Sequence, residues 1–215
     1  MSDTLSNYLE PDEVRKLITA VGEVSHNAER DLLIIELLWQ SGARVTEAIT
    51  LLPERIGKSS VVLRNLKQVK RIKVDGKSKH IHNPDALKEV EVSEELCDHL
   101  RQFCDTHNTQ PGDWVFKGHS GKKCVTRWYV WWVLGKAAEH ARIFRYGKRN
   151  KKTGGRFKGI WPHALRHSNA MFLLEVTQDI SLVKEQLGHA NIATTQQYAF
   201  TKRPKIKKEV SKIDW

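Results

Sequence analysis

His163-Ala164-Leu165-Arg166-His167, then Leu187-Gly188-His189, then Thr194-Thr195-Gln196-Gln197-Tyr198, is the run of sequence on which the reading of this chain turns. An arginine sits between two histidines beside an apolar helical pattern, and a third histidine and a phenol follow. A second arginine stands far upstream, in Ser41-Gly42-Ala43-Arg44-Val45-Thr46-Glu47-Ala48. Arginine offers a planar, permanently charged fork that binds two phosphate oxygens at once. Arg44 and Arg166 together would neutralise charge building on a phosphodiester under attack, without a metal. Tyr198 is the candidate nucleophile, and with a pKa of about 10 it needs help losing its proton. His163 and His167 are the available bases, and His189 would donate a hydrogen bond to a phosphate oxygen. The ordered set suits one task, which is holding a phosphodiester while a tyrosine attacks it.

The rest of the composition agrees. With 215 residues the chain can bury one good core or two small domains. A net charge of +11 and a pI of about 9.6 call for a polyanionic partner, either nucleic acid or an anionic membrane surface. No apolar run approaches the roughly 20 residues that span a bilayer, and no secretory signal opens the chain, so nucleic acid is the better candidate. The charge is uneven. Acids outnumber bases through Ile49, whereas Lys58 to Lys79, Arg142 to Lys158 and Lys202 to Lys212 are intensely basic.

Three cysteines without a signal peptide fit a reducing cytoplasm. Cys97 and Cys104 share a predicted helix face with Leu100, as core residues do, and a zinc site using His99 matches no common spacing. No carboxylates cluster as a two-metal nuclease requires. Neither a metal nor a cofactor is expected.

Periodicity predicts helices from Pro11, over Leu32–Trp39, from Arg44 through Leu51 or Leu52, over Ser93–His107 and Thr126–Arg142, and two more around the histidine motif. In the first, Val14, Leu17, Ile18 and Val21 form the apolar stripe. Trp128, Trp131 and Trp132 fall at helical spacing and read as a core stripe in preference to a base-stacking surface. Val61–Leu66 and Lys88–Val92 read as strands. With a shorter one near Arg55 to Gly57 they predict a small three-stranded antiparallel sheet. Lys67 to Leu87 reads as a long basic connection, and Phe144 to Gly159 as a basic insertion.

These boxes resemble those of the tyrosine recombinases, the phage integrase family, from about Leu9 to Tyr198. Ser41-Gly-Ala-Arg-Val-Thr-Glu-Ala is similar to that family's first arginine box, His163-Ala-Leu-Arg-His to its second, Leu187-Gly-His to its third and Thr195-Gln-Gln-Tyr to its nucleophile box. The resemblance implies an α+β, mainly α, catalytic domain over residues 9–203 with a tail helix over 204–215. It implies a site-specific DNA recombinase that cleaves and rejoins strands through a 3′-phosphotyrosine, in integration, inversion or resolution. It also assigns a lysine in the sheet as general acid to the leaving 5′ oxygen. Lys67 stands at that position, with Lys70, Lys73, Lys77 and Lys79 as rivals. Glu47 is expected to anchor the arginine helix.

Most members carry a helical clamp domain before the catalytic part. This chain is expected to lack that core-binding domain, as an excised fragment or as one of the short recombinases that include fimbrial inversion switches. Its start at Met1-Ser-Asp favours the latter. DNA affinity would then lean on Lys70, Arg71, Lys77 and Lys79 and on Arg145, Lys148, Arg149, Lys151, Lys152 and Arg156, as salt-sensitive phosphate contacts. Expected partners are double-stranded DNA, a homotetramer on DNA formed from monomers or weak dimers, and accessory DNA-bending proteins, with no membrane. The expected location is the nucleoid within the cytoplasm. The tail's Ile206, Val210 and Ile213 share a stripe that must dock on a neighbouring subunit or on the chain's own core. Competing readings are relaxation of DNA in the manner of a type IB topoisomerase, a catalytically inactive DNA-binding protein and, more remotely, a basic RNA-binding module.

Overall fold

The computed structural model describes residues 8–66, 69–74, 77–83, 86–149 and 156–188. Pro11 opens α1 (Pro11–Val24), where a missing N–H costs nothing, and the Glu10 N–H donates to Glu13 Oε2 at 2.9 Å. Its buried stripe is Val14, Leu17, Ala20 and Val21; Ile18 packs only partly against the core. The central element is α2 (Ala28–Ser41), which packs against α1 and later helices and ends at Gly42 in the left-handed conformation. A short helix, α3 (Val45–Ile49), starts immediately after Arg44.

The chain then forms β1 (Ser60–Arg64), β2 (Val69–Val74), β3 (Lys77–His82) and β4 (Leu87–Glu91). Strands β1 and β4 pair antiparallel from Ser60↔Glu91 to Arg64↔Leu87, and β2 and β3 pair as a separate hairpin between them. The sheet therefore has two strands where three were expected. Residues Pro53–Arg55 form a 3-10 turn, which leaves only the bridge Ile56↔Val61 of the third strand. The segment read as a long connection is largely this hairpin. Asp75-Gly76, a pair of residue types that favours a tight turn, follows β2 in sequence and lies outside the described residues.

Helices α4 (Glu94–Thr106) and α5 (Arg127–His140) follow, each with an N-cap hydroxyl, from Ser93 and Thr126. Cys97, Leu100 and Cys104 are all buried, as the shared face requires. The tryptophans correct the sequence expectation. Trp128 and Trp131 are 66% and 38% exposed, and Trp132 only partly packs on the core. The buried stripe of α5 is Val130, Val133, Leu134, Ala137 and Ala138. Two residue sets on this helix share the 3.6-residue period, and the smaller one permits close approach to α1. At the start of α5, Tyr129 donates to buried Asp31 Oδ2 at 2.6 Å, and Ser25 and Arg30 also donate to that carboxylate.

The basic insertion contains β5 (Arg145–Arg149) and β6 (Arg156–Gly159), an antiparallel pair with a register shift. Last come α6 (Pro162–Thr177) and α7 (Ile180–Leu187), whose Ala170, Met171, Leu174, Val183 and Leu187 make a small core of their own. Among the described residues no helix is long and apolar enough to cross a membrane.

Candidate active site

Arg44 caps α3 rather than lying within it. Its N–H donates to Glu47 Oε2 at 3.0 Å and its Nη1 to Oε1 at 2.8 Å, so one carboxylate fixes both backbone and guanidinium. Glu47 is fully buried, and Lys88 of β4 reaches the same carboxylate, with Nζ 3.0 Å from Oε2. The contact is a buried ion pair. Burial pushes the Glu47 carboxyl up, but the Lys88 charge and the Arg44 N–H outweigh it and hold the group below its ordinary value. Burial pushes the Lys88 ammonium down; Glu47 opposes this, while Arg166 and Arg44 reinforce it. Glu47 is thus the anchor expected of it.

Arg166 lies on α6 and is 1% exposed. Its Nη1 donates to the Gly42 carbonyl at 2.5 Å and its Nη2 to the Leu187 carbonyl at 2.8 Å. Those oxygens close the C-terminal ends of α2 and α7, where carbonyls lack helical partners and carry partial negative charge. One guanidinium therefore joins the first arginine box to the start of the third. Gly42 makes the approach possible. A Cβ there would lie 2.5 Å from Leu187 Cδ2 and 2.6 Å from Asn169 Oδ1.

His163 and His167, one turn apart on α6, meet edge to face with centroids 4.5 Å apart. His163 is exposed and His167 is half-buried. Burial, then the Arg166 charge, pushes the His167 imidazole below its ordinary value, so it is a neutral base near pH 7. Gly188 closes α7 in a left-handed conformation and leads directly to His189.

His189, Tyr198, Lys67, Lys151 and Lys152 lie outside the described residues. Lys70, Arg71, Lys77 and Lys79 fall on the β2–β3 hairpin, and Lys148, Arg149 and Arg156 on the β5–β6 hairpin. Arg145 is committed differently. Its guanidinium pairs with Glu13 at 2.5 Å and donates to the carbonyls of Tyr8 and Phe144, which tethers the base of its hairpin to α1.

Lys88 was missed by sequence reasoning, which took it as ordinary strand. A signal existed: Lys88 and Val90 share one face of β4, and Val90 faces the core. Beside this site runs an open groove of about 690 Å³, lined by Trp39, Phe172, Leu173 and Leu182, with Glu89, Glu91 and Glu185 also lining it.

A family model described as "Phage integrase family" matches residues 7–203. Tyrosine recombinase XerD of Staphylococcus saprophyticus is 30% identical over 204 residues, covering 95% of this chain and 61% of the relative. XerD of Staphylococcus aureus matches to the same extent. The chain thus spans under two thirds of the length of these relatives. Among solved structures, the XerA recombinase aligns with a TM-score of 0.68 at 22% identity, over 95% of this chain and 64% of that one. The XerH recombinase bound to palindromic difH substrate, in a post-cleavage complex, gives 0.70 at 21%, over 97% and 53%. The catalytic domain of bacteriophage HP1 integrase gives 0.57 at 23%, over 95% and 93%. These last three likenesses concern the fold.

Proposed function

The chain belongs to the phage integrase family, and from that premise we propose that it is a site-specific DNA recombinase cleaving and rejoining duplex DNA through a 3′-phosphotyrosine on Tyr198. The observation that carries this reading is the Arg166 clamp. It draws Gly42, two residues before Arg44, and Leu187, two residues before His189, onto a single guanidinium.

In this reading Arg44 and Arg166 stabilise the negative charge that builds on the phosphate as Tyr198 attacks. His163 takes the phenol proton, and His189 donates to a phosphate oxygen. Lys67 protonates the leaving 5′ oxygen. The covalent bond stores the phosphodiester energy, and a 5′ hydroxyl of a partner duplex attacks it in the exchange step. The hairpin cations track the DNA backbone, and the protein works in the cytoplasm at the nucleoid.

Residues 9–203 form the catalytic domain of this proposal and residues 204–215 its tail. A homotetramer on DNA supplies the second duplex, with DNA-bending proteins as accessories. Its assembly contact is the lysine-rich tail of a neighbouring copy, laid with Ile206, Val210 and Ile213 into the apolar groove beside Glu89, Glu91 and Glu185.

The test uses supercoiled plasmid carrying the DNA that flanks the gene. A covalent protein–DNA adduct with wild type, absent with Tyr198→Phe, together with rearranged products, supports the proposal. Relaxed plasmid without rearrangement moves the reading to a topoisomerase. Binding without an adduct on nicked duplexes overturns cleavage altogether.

A further inference from the structure

Lys88 is an unusual lysine. Its side chain is 9% exposed, whereas lysine ordinarily keeps its ammonium in water. Its stem runs over Gly188, where an added Cβ would come within 3.1 Å of Lys88 Cδ. Its Nζ lies 3.0 Å from Glu47 Oε2, and the charges around it are those of Glu47, Arg44 and Arg166. A fully buried carboxylate directly on Arg44 presents a problem for phosphate binding. A lone Glu47 would cancel much of the Arg44 charge in a region of low dielectric. With Lys88 present the cluster of Arg44, Arg166, Lys88 and Glu47 keeps two net positive charges. An ion pair buried this deeply contributes little net stability over an apolar pair, which points to a role beyond folding.

Building on the proposed strand-cleavage function, we infer that Lys88 is a positioning residue: by pairing with Glu47 it keeps that carboxylate from neutralising Arg44 and leaves the guanidinium charge for the scissile phosphate. In this role Lys88 acts through Glu47 and Arg44 rather than on the phosphate itself. Glu47 orients Arg44 through two hydrogen bonds, and Lys88 offsets the charge that this orientation would otherwise cost.

The test is single-turnover cleavage by the full chain on a nicked duplex carrying the flanking DNA, from pH 5.5 to 8. Lys88→Met should slow adduct formation about 30- to 100-fold while changing DNA affinity less than about threefold. Lys88→Arg should stay within about fivefold of wild type. Adding Glu47→Gln to Lys88→Met should recover about tenfold, because the anion needing a counter-charge is gone. The rate of Lys88→Met relative to wild type should climb as the pH falls and Glu47 is neutralised. Wild-type cleavage by Lys88→Met overturns the inference. So does a loss that follows the folded fraction, is independent of pH and is not relieved by Glu47→Gln. A wild type that forms no adduct counts against the proposed function, and the pairing is then decided by carbon-13 NMR titration of Glu47. A Glu47 pKa that rises in Lys88→Met supports the inference; an unchanged one overturns it.

Discussion

The Nη1 of Arg166 donates to the carbonyl of Gly42 at 2.5 Å, across 124 residues of sequence, from a side chain 1% exposed. The same guanidinium holds the Leu187 carbonyl. Its planar fork reaches two helix ends at once, which a single-point ammonium does not. Arg166→Lys should therefore lose one charge-assisted bond, about 1.5–3 kcal/mol of stability. It should also lose most adduct formation, about a hundredfold or more. Denaturant unfolding and the cleavage assay read the two effects separately, and a fully active Arg166→Lys would contradict the role given to the fork.

Gly42 is the other half of that relationship. Alanine there meets a left-handed backbone, φ 58°, and two neighbours inside 3.0 Å. Strain and overpacking together should cost about 2–4 kcal/mol. Gly112 is the control, since its φ is 87° but nothing lies within 4 Å of an added Cβ. Gly112→Ala should cost only about 1–2 kcal/mol. Equal shifts in the two denaturation midpoints would remove the close-approach argument.

His167 sets a pH dependence. Its folded pKa lies below the ordinary 6.5, through burial and then the Arg166 charge. Between that folded value and 6.5 the unfolded chain binds more protons, so stability rises with pH there. Stability is complete above 6.5, declines as the pH falls toward the folded pKa, and then levels. His167→Gln should flatten this limb. Melting temperatures at closely spaced pH values between 4.5 and 7.5 measure it, and an unaltered slope in the variant would assign the limb to other groups.

Trp128 separates the observed α5 from the one expected. At 66% exposure, Trp128→Ala should change stability by less than about 0.5 kcal/mol. Leu134→Ala, at a fully buried position on the same helix, should cost about 2–5 kcal/mol. A reversed order would restore the tryptophan stripe to the core.

Truncation after Arg203 addresses assembly. The shortened chain should keep its melting temperature and lose higher-order complexes on DNA, as read by analytical ultracentrifugation. Assembly that survives intact would sink the docking of a neighbour's tail in the groove.

Much was legible locally because the causes are local. Pro11 ahead of two acids, Gly42 after an apolar run and the hydroxyls of Ser93 and Thr126 mark helix ends wherever they occur. The third strand was misjudged because Arg55, where it was expected to begin, belongs to a proline-led 3-10 turn, whose geometry is not visible in side-chain alternation. The hairpin strands β2 and β3 were hidden by lysines, which dilute the period-2 signal.

By itself the sequence determined which chemical groups this protein carries, in what order, and the family that order marks, since identity and spacing are properties of the chain. Only the tertiary structure decided which of two equally periodic faces of α5 is buried, because helix–helix packing selects by volume and not by period. It likewise decided that Lys88 joins Glu47 beneath Arg44, that Arg145 serves α1, and that Arg166 closes two helix ends. Those pairings join residues 21 to 132 positions apart, and the energy that selects among them arises only once burial has removed the competing water.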